Sequence, residues 1–253
     1  MRTMTRYALY YTPAAQTLFW QLGCAWLGRD PTGAAPPPSP SVPGISPPMM
    51  TALTASARRY GFHATLKAPF RLAPGFGESD LLAMAQAFAS AQPPVALPGL
   101  EVSRLNDFLA LCPAQPTPQL DALAMRVVAY FDPLRAAPTA DELARRRKAR
   151  LSPRQDALLQ RWGYPYMEEE FRFHMTLTDS LITVDAEVAE ALKDAAITHF
   201  KAVAPTWTGT DTVDVDGLGI FKESGPGAPF ELLERIPFSG AGPAGNGAAA
   251  RAG

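Results

Sequence analysis

Apolar and polar positions along this 253-residue chain alternate between a period of two and a period near 3.6. Residues 6–12 (RYALYYT) are aromatic and strand-like. Thr12 and Pro13 then read as the N-cap and first position of a helix running to about Leu27, with Gly28 beyond its end. Residues 30–49 hold eight prolines and no regular period, so a loop is expected there. Residues 61–72 (GFHATLKAPFRL) alternate as a strand that Pro69 ends or places at an edge.

From 79 to 91, Leu81, Ala85 and Phe88 share one helical face. Residues 95–105 and 108–112 read as two strands around Asn106 and Asp107. Thr117 and Pro118 open a helix with Leu120, Leu123, Val127 and Phe131 on its inner stripe. Residues 139–163 read as a helical hairpin, because Thr139 with Glu142 and Ser152 with Gln155 both have capping-box spacing. Residues 171–178 (FRFHMTLT) alternate again. Residues 185–200 align Val188, Leu192, Ala195 and His199 on one side of a helix, and 213–221 and 230–238 are late strands. From 239 on, the Gly/Ala-rich sequence predicts a disordered tail.

One order therefore occurs twice, from residue 61 and from residue 171: a strand, then a helix, then two strands. The expectation is an α+β, bilobal, pseudo-symmetric domain over 1–238. Lobe one covers about 6–135, a helical insert about 139–163 and lobe two about 166–238. Two antiparallel sheets would face a central cleft, with helices outside.

Composition narrows the function classes. At 47% hydrophobic and 19% charged, the chain is globular. A net charge of −1 argues against a binder of extended nucleic acid or of membrane surfaces. No signal segment is visible and no apolar run approaches spanning length, so a cytoplasmic protein is expected. Cys24 and Cys112 are too few and too far apart for a disulfide framework or a zinc knuckle. Nothing in the pattern sets an oligomeric state.

The candidate chemistry lies in the histidines. There are three, and two sit in His63-Ala-Thr65-Leu66 and His174-Met-Thr176-Leu177, at the same place in the repeat. In a strand, residues i and i+2 share a face. Each motif thus presents an imidazole beside a hydroxyl, with apolar residues behind. Two such strands facing each other suit phosphodiester cleavage. A neutral imidazole takes a proton, a protonated one gives a proton, and threonine hydroxyls donate to the non-bridging oxygens. Neither motif has H-x3-H or H-E-x-x-H spacing, so no metal and no other cofactor is expected. His199, on an apolar stripe, reads as structural.

These residues resemble the 2H phosphoesterase superfamily, which is named for two H-x-[TS]-hydrophobic motifs on the central strands of a bilobal fold. The segments RYGFHATLKAPFRL and RWGYPYMEEEFRFHMTLTDSL are similar to a bacterial branch encoded with phosphonate-utilisation genes, the DUF1045 type. The resemblance implies metal-independent opening or hydrolysis of a small cyclic phosphate or phosphodiester, such as a ribosyl cyclic phosphate. It implies His63 and His174 as the catalytic pair, with Thr65 and Thr176 as phosphate binders.

Around them, Lys67 shares the motif face if its strand stays regular, and Arg172 shares that of His174. Both are candidates for phosphate contact. Tyr60, Tyr164 and Tyr166 flank the motif strands, and Tyr60 and Tyr166 are substrate-binding candidates. The basic run at 145–150 is either a solvated helix face or a funnel for an anionic substrate. The competing functions are a non-catalytic binder of a phosphorylated metabolite or nucleotide, and an RNA-end cyclic phosphodiesterase or ligase.

Overall fold

The computed structural model describes residues 5–97, 99–201, 203 and 213–241. In chain order the elements are β1 (Arg6–Tyr11), α1 (Leu18–Leu27), α2 (Pro47–Leu53), α3 (Ala55–Tyr60), β2 (Ala64–Phe70), α4 (Glu78–Ala91), β3 (Val95–Leu97), β4 (Leu100–Leu105) and β5 (Phe108–Pro113). They continue as α5 (Pro118–Phe131), α6 (Ala140–Arg147), α7 (Pro153–Trp162), β6 (Met175–Thr176), α8 (Ala186–Phe200), β7 (Val213–Val215), β8 (Gly217–Glu223) and β9 (Phe230–Pro237).

Helices pack on an antiparallel sheet, which is the α+β class expected. The two halves, however, do not form separate facing sheets. They are joined edge to edge in one seven-stranded sheet of order β4-β5-β6-β2-β1-β8-β9. The join is the pair Ala64–Met175, which makes the two motif strands neighbours. The repeat is interleaved: the β4–β5 hairpin of the first copy flanks β6 of the second. β3 and β7 form a separate two-stranded sheet, which divides each of the runs 95–105 and 213–221 in two.

One face of the large sheet carries the main core. Leu9, Tyr11, Ala64 and Leu66 pack there with α4, α5, α8 and part of α1. The other face carries a small cluster of Ala8, Tyr10, Phe221 and Phe230, with Tyr60 at its border. This division follows from strand alternation, because Tyr10 pairs with Thr65 while Tyr11 pairs with Ala64.

Several boundaries differ from the sequence reading. α1 starts at Leu18, capped by the Thr17 hydroxyl, which accepts from the Trp20 N–H. Thr12 is instead buried and donates its hydroxyl to the Phe62 carbonyl. Part of the proline-rich stretch is helical, since Ser46 caps α2 with Pro47 at its first position. The insert is a helical hairpin with both capping boxes formed, at Thr139–Glu142 and Ser152–Gln155. Ser239 and Gly240, placed in the tail, donate their N–H groups to the carbonyls of Ala89 and Gln92. Residues 242–253 lie outside the described residues. No helix among the described residues is long and apolar enough to cross a membrane.

Candidate active site

His63 and His174 each immediately precede their strand, and their surroundings match. His63 Nδ1 lies 2.9 Å from the Gly61 carbonyl, and His174 Nδ1 lies 2.8 Å from the Arg172 carbonyl. In both cases the acceptor is two residues upstream. A carbonyl accepts only, so each Nδ1 carries the proton and each Nε2 is left to react. The Thr65 hydroxyl is 3.3 Å from His63 Nε2 and donates to it.

Gly61 makes the first of these contacts possible. Its φ of +82° lies where side-chain-bearing residues are strained. A Cβ there would also meet Pro31 at 3.1 Å.

Extending the Ala64–Met175 register by one residue either way puts Thr65 opposite His174 and His63 opposite Thr176. All four side chains then project on the face away from the main core. The two histidines are diagonal neighbours, a relation that places Cα atoms about 7–8 Å apart. That separation suits one phosphoryl group held between two rings.

The rings sit among aromatics. His63 stacks on Tyr10 with centroids 3.8 Å apart, and Tyr60 lies 6.1 Å away. Phe108 lies 5.8 Å from His174. Burial holds the His63 pKa down to about 4. The Gly61 carbonyl partly opposes this, and positive charge on His174 adds to it. Burial also lowers the pKa of His174, against the pull of the Arg172 carbonyl.

A cavity of about 490 Å³ is lined by His63, Thr65 and Thr176. An adjoining one of about 470 Å³ is lined by His174, Arg172 and Tyr166. Thr65, Phe108 and Tyr164 border both, so Thr65 stands where the two imidazole environments meet. Tyr60 lines the first cavity, stacked on Phe230 at 5.0 Å. Tyr166 is exposed and meets Tyr164 edge-on.

Lys67 is not in the site. Between the pairs Tyr10–Thr65 and Leu9–Lys67 the β1–β2 register shifts by one residue, and this bulge turns Lys67 toward α5. There it is 3% exposed, and its Nζ donates to the Val128 carbonyl and to Asp132. Arg172 is exposed and donates to the carbonyls of Glu169 and Phe171 at the rim of the second cavity. His199 is structural, with Nε2 2.9 Å from the Leu22 carbonyl.

The sequence reading missed Tyr10 and Arg6, which also line the first cavity. Alternation in β1 could have placed both on one face with Ala8. Within the basic run, Arg146 lines the cavity, whereas Arg147 is paired with Asp156. No group of three or more metal-ligating side chains occurs among the described residues.

A family model described as a protein of unknown function, DUF1045, matches residues 65–231. Two relatives carry the name ribose 1,5-bisphosphate phosphokinase PhnN. One, from Janthinobacterium sp. (strain Marseille), is 52% identical over 95% of this chain and 52% of its own length. The other, from Laribacter hongkongensis (strain HLHK9), is 38% identical over 91% of this chain and 51% of its own length. The chain thus spans about half of the curated relatives it matches. Among solved structures, TT0787 of Thermus thermophilus aligns at 14% identity and a TM-score of 0.41, over 93% of this chain and 98% of its own. Usb1 of Kluyveromyces marxianus aligns at 12% and 0.34, over 91% and 99%.

Proposed function

Given that the chain belongs to the DUF1045 family, whose function is unknown, we propose that it is a 2H-type phosphodiesterase that opens a small cyclic phosphate without a metal ion. The observation that carries this reading is the matched pair of imidazoles. Each has Nδ1 fixed on the carbonyl two residues upstream, and the two lie on neighbouring strands beside threonine hydroxyls.

His63, held neutral by its aromatic surroundings, takes a proton from water through Nε2 as the water oxygen bonds to phosphorus. The bond from phosphorus to one ring oxygen breaks. That oxygen receives the proton carried by His174 Nε2, and the product is a phosphomonoester. With substrate bound, the Thr65 hydroxyl turns away from His63 Nε2, so that Thr65 and Thr176 both donate to the non-bridging oxygens, where negative charge grows.

The kinase name belongs to relatives twice as long as the matched region. A Walker-type phosphate loop needs a lysine followed by serine or threonine. The lysines here are Lys67, Lys148, Lys193, Lys201 and Lys222, and each is followed by Ala, Asp or Glu. That favours a different phosphate chemistry for these residues.

The test is a panel of 2′,3′-cyclic nucleotides and sugar 1,2-cyclic phosphates, assayed with chelator present and followed by phosphorus NMR. Ring-opened monoester supports the reading. Tight binding without product favours a metabolite binder. Activity that chelator abolishes and metal restores overturns the metal-free mechanism.

A further inference from the structure

Beyond the histidines, the cavity has a basic end. Arg6 and Arg146 line it, and both also border two adjoining cavities that Asp107 and Asp179 do not reach. Arg6 comes from β1 and Arg146 from the last turn of α6, so the sheet and the insert each contribute one guanidinium to the same space.

The positive charge at this end is incompletely matched. Arg6 and Arg59 both donate to Glu223, whose side chain is fully buried, so one carboxylate serves two guanidinium groups. Arg145 and Arg146 make no ion pair among the described residues. Of the acidic groups nearest α6, Glu142 borders both adjoining cavities but is taken by Arg71 and by the Thr139 N–H, and Asp141, in the first turn of the helix, lines one adjoining cavity and not the main one. Asp107 and Asp179 also line the main cavity. Asp107 accepts from the Ser180 hydroxyl, and Asp179 accepts from the N–H groups of Ser56 and Ala57.

The aromatic rings at the basic end are already covered. Arg146 lies 4.8 Å from the centroid of Tyr164, and Arg59 lies 5.1 Å from that of Tyr60. Tyr60 is further stacked on Phe230. A planar base entering here would have to displace a guanidinium from a ring face. An oxyanion would meet that guanidinium directly, in the geometry that suits bidentate phosphate binding.

We infer that the Arg6–Arg146 end is a second anion subsite, and that the substrate carries a second phosphoryl group besides the one opened between the histidines. This rests on the phosphodiesterase reading above. Arg6 and Arg146 hold the remote phosphate and thereby fix which ring oxygen faces His174. Glu223 acts as a positioning residue, because it fixes Arg6 at the wall of the main cavity and Arg59 at that of an adjoining one.

The experiment compares uridine 2′,3′-cyclic phosphate with the same compound bearing a 5′-phosphate. The wild-type protein should prefer the doubly phosphorylated compound by about tenfold to a hundredfold in kcat/KM, the range expected for one or two charge-assisted contacts. Arg146→Gln, on an exposed helix and checked for folding by circular dichroism, should reduce that preference by about tenfold or more. Arg146→Lys should restore part of it. Raised salt should erode it in part, because both guanidinium groups are only partly buried. Equal turnover of the two compounds, or an unchanged preference in Arg146→Gln, overturns the subsite and leaves the phosphodiesterase reading standing. Turnover of neither compound, or of any other cyclic phosphate, overturns that reading itself.

Discussion

Ala64 of β2 is paired with Met175 of β6, and that pairing sets both imidazoles on one face of the sheet, one diagonal step apart. The alanine and methionine side chains face the core, where both are fully buried. Shifting this register by one residue would turn one motif inward. The site is therefore held by core packing as much as by its own hydrogen bonds.

The first prediction concerns the pair itself. His63→Ala and His174→Ala should each lower kcat on a competent cyclic phosphate by about 10²–10⁴-fold, with the circular dichroism spectrum retained. The double variant should lose little more than the worse single one, because two groups serving one proton transfer sequence act as a unit. Additive losses would indicate that the rings work independently.

The second concerns pH. His63 stays neutral down to about 4, whereas His174, lowered from its usual value by burial, is protonated only on the acid side of 6.5. With His63 as base and His174 as acid, kcat/KM should be highest between about 4 and the His174 pKa. It should fall tenfold per unit above that pKa. A bound phosphodiester is anionic and favours protonated imidazole, so the upper limb of kcat should lie at higher pH than that of kcat/KM. Coincident limbs in the two profiles would remove the anion from contact with His174.

Much of this site could be read from the chain because its signals are local. The two H-x-T motifs need only strand alternation. α4, α5, α8 and the α6–α7 hairpin follow from 3.6-residue stripes and caps. What could not be read depends on partners distant in sequence. β6 has only two residues, because Ala64, Ala110 and Leu111 define its pairing. α2 and α3 have seven and six residues, too short to show a period. The place of Arg6 in the cavity depends on Glu223, more than two hundred residues away.

The third prediction tests how His63 is aimed. Gly61→Ala puts a side chain at φ +82° and within 3.1 Å of Pro31, so the Gly61 carbonyl must move away from His63 Nδ1. Stability should fall by about 1–2 kcal/mol from backbone strain. A loss of kcat of about tenfold or more should accompany it, with KM less affected, because the ring loses the partner that fixes its tautomer. NMR titration of His63 provides a separate readout. The same loss of stability with kcat retained would show Gly61 to be only a turn residue.

The fourth separates Lys67 from the catalytic face. Burial lowers its pKa to about 8, against the pull of Asp132. In the unfolded chain lysine titrates near 10.4. Between those values the unfolded lysine binds more protons than the folded one, so the contribution of Lys67 to stability should climb as pH rises from about 8 toward 10. The most that a shift of this size can add is about 3 kcal/mol. Lys67→Met removes the titrating group, so the stability gap between wild type and variant in urea unfolding curves should shift in favour of wild type as pH rises over that range. The difference between variant and wild type isolates the lysine from Cys24 and Cys112, whose thiols burial raises so that they act in the opposite sense from about pH 8.5, and from Tyr7 and Tyr11, which do so above about pH 10. Asp132 keeps Arg135 as its partner at 2.7 Å, so the variant should still fold. Its kcat/KM should stay within about threefold of wild type, since Lys67 faces α5 and not the imidazoles. A tenfold loss of kcat/KM with an unaltered stability profile would return Lys67 to the phosphate site.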